Sequence, residues 1–319
     1  MRVLVTGAAG FVGLNVIREL ASFRDEVLGL SRHLPETDSH AFPENVRFER
    51  CDVRNNEEIT SWIATWQPTH IVHAAAITPT SIFERMHARA VLETNQLSLL
   101  TILEAAIRTD VTRVLFLSSA GVYASPRDAT PMPETSPLRH DGSLYGLTKI
   151  AGEGLCRWAR RQHGFDARSV RVGPVYGPFE RPTGSRENMS QVWSAVQLLL
   201  NREPIRCNNP AAIYDWIHGK DCAQAIRLLL TADQLSFDAY NLAGPAVTME
   251  ELLDSLAKIL PESIIDWTGV REPNLKIPDS YRCAPLDIHA LTKDIDFQPR
   301  FDLGDGLQDY VDWLRNHSY

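Results

Sequence analysis

Met1-Arg-Val-Leu-Val-Thr-Gly-Ala-Ala-Gly-Phe-Val-Gly13 opens the chain, and its reading decides the fold. Val3 to Val5 is a short apolar run of strand-forming residues. It runs into a glycine turn, Gly7, Gly10 and Gly13, from which a helix begins near Phe11. A strand, a tight turn and a helix N-terminus make a pyrophosphate site. Glycine lets the backbone approach the phosphates, and the free N–H groups and dipole of the helix favour negative charge. Taken alone the same pattern also describes an ordinary glycine-rich turn, so the rest of the chain decides between the two.

A chain of 319 residues can bury a sizeable core, being long for one average domain and short for two independent ones. The net charge of -8 and the lack of a dense Lys/Arg run argue against nucleic acid or an anionic membrane surface and favour a small-molecule ligand. Cys51, Cys156, Cys207, Cys222 and Cys283 are scattered, with no Cys/His spacing suited to a metal. They read as free thiols in a reducing compartment, and no metal is expected. The first strand starts at residue 2, and no apolar run approaches the roughly 20 residues of a membrane helix. A soluble, cytoplasmic protein without a signal peptide is expected.

Strand signals alternate with helical ones through the first half, the pattern of an α/β doubly wound parallel sheet. Strands are predicted at Val3–Val5, Val27–Leu30, Val46–Phe48, Ile71–His73, Val114–Leu117 and Ser169–Val172. Helices are predicted near 11–23, 55–66, 91–108 and 144–163. Right-handed crossovers then place a ligand crevice at the carboxyl ends of the strands. After Pro174 the alternation loosens into an irregular charged loop with Glu180, Arg181, Arg186 and Glu187. Helices follow at about 188–200, 221–231 and 248–260, the last opened by a capping box at Thr248-Met-Glu-Glu251, and Leu307, Tyr310, Val311 and Leu314 stripe a final helix. The expected organisation is a dinucleotide-binding domain over 1–173, with returning segments at about 212–245, and a mainly substrate-binding lobe over 174–319.

The chemistry-bearing residues fall at the strand ends. Ser31-Arg32 follows the second strand, where a carboxylate would repel a phosphate on the adenosine ribose and a hydroxyl with a guanidinium would bind it. NADP is therefore expected, with NAD the alternative if Arg32 is only a solvated loop charge. Asp52-Val53 follows the third strand, where Asp52 could equally cap the next helix. Ala74, Ala75 and Ala76 are small enough to let a cofactor lie against the backbone, and His73, with no acidic partner nearby in sequence, reads as structural. Tyr145 and Lys149 stand at i and i+4 on one helix face, where an ammonium can lower the pKa of a phenol from ~10. A hydroxyl at the end of the fifth strand can hold a substrate oxygen while the phenol takes its proton.

Taken together and in this order, Thr6 through Gly13, Asp52, His73 to Ala76, Asn95, Ser119, and Tyr145 with Lys149 resemble the extended short-chain dehydrogenases/reductases of the sugar epimerase/dehydratase group. The resemblance continues through Arg171-Val-Gly-Pro-Val-Tyr-Gly-Pro178. It implies that Ser119, Tyr145 and Lys149 are catalytic and that Asn95 ties its helix to a neighbouring strand. It also implies that Gly7, Gly10, Phe11, Val12, Ser31, Arg32, Asp52, Val53, Ala74, Ala75, Ala76, Tyr145 and Lys149 hold the dinucleotide. The substrate is expected at Thr78, Ser119, Pro174, Arg181, Arg186 and Arg282, and a homodimer through the helices near 91–108 and 144–163.

Two departures bear on the substrate. Pro174 and Tyr214 stand where nucleotide-sugar enzymes of this group commonly carry an Asn and an Arg near the sugar diphosphate. Ala120-Gly121 replaces the Asp-Glu that sugar dehydratases use to expel a hydroxyl. The expected activity is therefore NAD(P)-dependent oxidation or reduction of a sugar or sugar-acid-like substrate. The alternatives are a nucleotide-sugar 4-epimerase that keeps its cofactor and, in another class, a catalytically silent dinucleotide-binding regulator.

Overall fold

Val3, Leu4 and Val5 are fully buried in strand β1 (Arg2–Thr6), as befits a parallel strand covered on both faces. In the computed structural model, which describes residues 1–35, 42–124, 129–139, 142–186, 188–267, 272–277 and 284–317, β1 is an inner strand of a seven-stranded parallel sheet, next to the central one. Its neighbours in sequence are α1 (Phe11–Ser22), β2 (Glu26–Ser31), β3 (Val46–Arg50), α2 (Asn56–Trp66) and β4 (His70–His73). Then come α3 (Ser81–Leu92), α4 (Ser98–Ile107), β5 (Arg113–Ser119), α5 (Leu144–His163) and β6 (Asp166–Val172). Across the sheet the order is β3, β2, β1, β4, β5, β6 and a late strand, Ala239–Leu242. The direction of winding reverses between β1 and β4, so a crevice opens beyond their carboxyl ends, where Thr6 is in register with both Leu30 and His73.

The six predicted strands are present, and the helices near 11–23, 55–66 and 144–163 fall within a residue or two of α1, α2 and α5. The helix expected over 91–108 differs. It begins at Ser81, passes through a π-helical turn at Glu93–Leu97 and continues as α4. The first segment was missed because α3 buries only Val91 and so shows no apolar stripe. Its start is set by Thr80, whose hydroxyl accepts from the Phe83 N–H at 3.2 Å. The π turn aims Asn95 inward, where its amide accepts from the Ile77 N–H at 2.8 Å and donates to the Ile77 carbonyl at 3.0 Å.

A second core lies beyond β6. It joins α6 (Gln191–Leu200), α8 (Met249–Ile259) and α10 (Leu303–Asn316), while α7 (Gly219–Thr231) packs on α1 and α9 (His289–Ile295) lies near the late strand. The predicted capping box is formed at Thr248 and Glu251, and Leu307, Tyr310, Val311 and Leu314 are buried as the final helix stripe requires. Among the described residues no helix is long and apolar enough to cross a membrane.

Candidate functional site

The floor of the crevice is backbone. Gly7 has φ +67°, and a Cβ there would stand 2.7 Å from the Ala75 backbone; one on Gly13 would stand 2.3 Å from the Gly7 carbonyl. Gly10 caps α1 without a side chain, so no side-chain acceptor occupies the first N–H groups of the helix. That arrangement suits a phosphate, and Phe11 and Val12 line it. Two cavities of about 320 and 210 Å³ extend from this turn in opposite directions, sharing Gly7, Gly10, Ala74, Ala76, Arg181, Thr183 and Ser185. A two-ended molecule with a central pyrophosphate fits such a space.

The smaller cavity is lined by Ser31, Arg32, His33, Asp52, Val53 and Ala75. Arg32 does not stand as a solitary loop charge, because its Nη2 donates to Ser185 Oγ across the crevice. Asp52 is not the cap of α2. That place belongs to Asn55, whose Oδ1 accepts from the Glu58 N–H at 3.2 Å. The Arg54 guanidinium, hydrogen-bonded to Asp52 at 2.6 Å, holds its carboxyl below the usual range. Cys51 also lines this cavity, its thiol pushed up to about 12 by burial and therefore unreactive.

The larger cavity brings together Thr78, Ser119, Tyr145, Lys149, Pro174, Arg181 and Arg186. Helix α5 begins here because Ser143 accepts from the Gly146 N–H and Glu84 accepts from the Tyr145 N–H. Ser119 and Tyr145 stand side by side in this lining. Burial raises the Tyr145 pKa, opposed by the neighbouring Ser119 hydroxyl and by the Arg186 charge. The sequence assigned the opposing charge to Lys149. Here Lys149 instead donates to the Leu117 carbonyl at 2.7 Å, and burial brings its ammonium down to about 7.

The loop that carries Arg181 and Arg186 straps over both cavities, through contacts that were not legible in the sequence. The Thr78 N–H donates to the Ser185 carbonyl at 2.9 Å, and Arg186 lies 5.2 Å over the Phe11 ring with its Nη2 on Glu180 Oε1 at 2.8 Å. Glu180 is fully buried and also accepts from the Ser190 N–H and hydroxyl and from the Tyr310 hydroxyl. Burial raises its pKa, and Arg186 opposes the rise. Thr183, Met189, Ser190 and Gln191 join the lining; an irregular loop has no periodicity that would announce them. Tyr214 is buried away from this cavity, stacked on Trp216 at 4.2 Å. Arg282 lies outside the described residues.

His73 is structural, as its sequence context suggested. Its Nδ1 is 2.8 Å from Thr6 Oγ1 and its Nε2 is 3.1 Å from Ser98 Oγ. The Ser98 hydroxyl gives its proton to the Thr94 carbonyl at 2.6 Å, so Nε2 carries the imidazole hydrogen and Nδ1 accepts from Thr6. Burial, with the nearby Lys149 charge, lowers the pKa to about 3.

Residues 3–243 match the model of the NAD dependent epimerase/dehydratase family. The chain is 28% identical to a dTDP-4-dehydro-6-deoxy-D-allose reductase of Streptomyces bikiniensis, covering 99% of this chain and 97% of that one. Among solved structures it is similar to the Thermus thermophilus UDP-glucose 4-epimerase complexed with NAD, at TM-score 0.81 and 26% identity with all of both chains covered. It is also similar to the Thermotoga maritima UDP-glucose 4-epimerase with UDP-glucose, at TM-score 0.84, 24% identity and 99% of both chains.

His73 generates a test. Its folded pKa lies below the unfolded value of 6.5, so its contribution is complete above pH 6.5 and is lost as the pH falls towards 3. Replacing it with Gln should flatten the acid limb of stability by up to ~1.4 kcal/mol per pH unit, read by urea unfolding between pH 7 and 5. A parallel acid limb in the variant would show that His73 is protonated in the fold.

Proposed function

The chain belongs to the NAD dependent epimerase/dehydratase family, and from that premise we propose that it oxidises or reduces a hydroxyl or ketone of a sugar or sugar-acid-like substrate with a nicotinamide dinucleotide. The observation that carries this reading is the meeting of Ser119, Tyr145 and Lys149 in a cavity that starts from the glycine turn. A bound dinucleotide would supply the hydride acceptor or donor. Ser119 holds the substrate oxygen, and Tyr145 takes or returns its proton. Lys149, anchored on the Leu117 carbonyl beside Tyr145, would hold the ribose at the nicotinamide end of the dinucleotide. Gly7, Gly10, Phe11 and Val12 would hold the pyrophosphate, and Ala74 to Ala76, Asp52 and Val53 the adenosine half.

The substrate faces Thr78, Pro174, Arg181 and Arg186, with Arg282 the remaining candidate. A small anionic substrate is supported by the Arg186 Nε, which is buried without a hydrogen-bond partner at the cavity, and by Pro174, which offers no side-chain amide to a diphosphate. The same cavity of about 320 Å³ must also admit the nicotinamide. A nucleotide-sugar 4-epimerase is the second reading, favoured by the Thermus thermophilus enzyme at 26% identity. Dinucleotide that copurifies and is not consumed supports the epimerase; dinucleotide that exchanges and turns over stoichiometrically supports the oxidoreductase.

Tyr145→Phe keeps the ring and removes the proton carrier. It should bind dinucleotide with unchanged affinity and lose about 10² to 10⁴ in kcat across a screen of sugars, aldonates, uronates and polyols. Turnover near wild type would refute the assigned base.

Cofactor choice turns on Ser31 and Arg32. NADP should bind more tightly than NAD by roughly tenfold to a hundredfold, the equivalent of one charge-assisted contact, and Ser31→Asp with Arg32→Asn should invert the order. Calorimetric titration of both cofactors into both proteins decides it. Tighter NAD binding by the wild type would mean that Arg32 serves Ser185 alone.

A homodimer completes the proposal. Leu99, Ile102 and Leu103 of the expected interface are spent inside the chain, but Ile82, Met86, Leu92, Leu97, Leu147 and Trp158 stay exposed on α3, the π turn and α5. A face of that kind asks for a symmetric partner. Sedimentation should give twice the chain mass at micromolar concentration, and Leu97→Glu with Leu147→Glu should give monomer. A wild-type monomer would exclude the interface.

A further inference from the structure

Three consecutive residues of β5 each meet a different side chain of α5. The Leu117 carbonyl takes Lys149, the Ser118 hydroxyl donates to Glu153 Oε1 at 2.7 Å, and Ser119 lies beside Tyr145. Tyr145, Lys149 and Glu153 are spaced four apart and so lie on one face of the helix. The first and second belong to the chemistry proposed above. Glu153 has no part in it, yet it is 3% exposed, as is Arg171 beside it.

The two form a bidentate pair, Arg171 Nε to Glu153 Oε1 at 2.9 Å and Nη2 to Oε2 at 2.7 Å. Arg171 stands on β6 directly in register with Ser118. Its Nη1 donates to the Tyr123 hydroxyl and the Glu134 carbonyl, and the Tyr123 hydroxyl donates to Asn241 Oδ1 on the late strand at 2.6 Å. The clamp is thus tied to the sheet at several points. At Gly152 a Cβ would stand 2.5 Å from the fully buried Phe116 ring, so α5 already lies as near β5 as its backbone permits. Contact at Gly152 sets the distance between helix and strand but leaves sliding along the strand open. A planar fork gripping both carboxylate oxygens does not.

We propose that Glu153, clamped by Arg171, is a positioning residue that fixes the register of α5 along β5 and so holds Tyr145 against Ser119. The inference rests on Tyr145 and Ser119 being the reacting pair. One residue of helix rise is about 1.5 Å. A misplacement of about 1 Å at a reacting group costs on the order of a hundredfold in rate. A pair serving stability alone could sit anywhere along the helix; this one is bonded to the residue between the Lys149 anchor and Ser119.

Two variants test it. Ser118→Ala removes the link and leaves the Glu153–Arg171 pair intact; Glu153→Gln keeps the volume and weakens the grip. Each should lower kcat by about tenfold to a hundredfold with KM and dinucleotide affinity held within about twofold. Glu153→Asp, which keeps the charge on a stem one methylene shorter, should fail to restore kcat. The second readout is the ultraviolet titration of Tyr145, taken as each protein minus its Tyr145→Phe counterpart. Its phenol is faced by Ser119, Lys149 and Arg186, with the Glu84 carboxylate at its backbone N–H; Ser119 lowers its pKa, so moving the phenol away from Ser119 should move the titration upward. This readout needs no turnover, so an upward shift in a protein that reduces no substrate would uphold the positioning role while the proposed function fell. An unchanged titration and unchanged kcat in folded Ser118→Ala would overturn the inference, even if Glu153→Gln failed to fold. A lowered Tm in Glu153→Gln with an unmoved titration would overturn it equally, leaving the pair a purely structural one.

Discussion

The close approach of backbone to backbone at the end of β1 is the constraint on which the other features depend. Gly7 cannot carry a Cβ because the Ala75 backbone occupies its place, and Gly13 cannot because the Gly7 carbonyl does. These contacts bring the start of α1 directly over the point where the winding of the sheet reverses, leaving its N–H groups facing the crevice. Thr6, the last residue of β1, then closes the turn from below. Its hydroxyl accepts from the Ala75 N–H at 3.4 Å and lies within hydrogen-bond reach of His73, which in turn reaches Ser98 at the start of α4. One line of buried polar groups therefore connects the glycine turn, β4 and the central helix.

Burial also sets the electrostatics. Within a few residues of the crevice it lowers the pKa of His73 and Lys149 and raises that of Tyr145, in each case favouring the neutral form. His73 is kept neutral where a second cation beside Lys149 would have no counter-ion. Lys149 falls from 10.5 to about 7 while Tyr145 rises from 10.0, so the two move apart and the phenol holds its proton more tightly than the ammonium does. The overall charge of -8 says nothing of this. The local arginines and the dry interior decide it.

The parts legible in the sequence are those that repeat or that physics marks with special residues. Apolar runs gave the strands of the parallel sheet, glycines gave the turn, and Thr248 with Glu251 gave a helix start. The side chains gathered in the larger cavity, Ser119, Tyr145 and Lys149, were found because each stands at a strand end or a helix start. Helix α3 was illegible because it buries one residue, and Ala239–Leu242 because a run of four residues is too short to announce a strand. Asp52 was left open between ligand and cap; the choice depended on where α2 begins, and Asn55 begins it. Lys149 was given a charge effect on Tyr145 by spacing alone, which cannot register that burial brings the ammonium itself down to about 7.

The contacts by which the strap from Arg181 to Arg186 spans both cavities were illegible for a reason that belongs to their work. Ser185 offers its carbonyl to the Thr78 N–H and its hydroxyl to Arg32, and the next residue sends its guanidinium to Glu180. In a helix that carbonyl would be consumed four residues on, and in a strand the neighbouring chain would take it. Only irregular backbone leaves both groups free to bond in different directions, one towards β2 and the other towards β4. The segment that spans both cavities is therefore bound to lack the periodicity by which regular structure is recognised in a sequence. Its polar residues acquire meaning only when the ends of β2 and β4 are seen on either side of it.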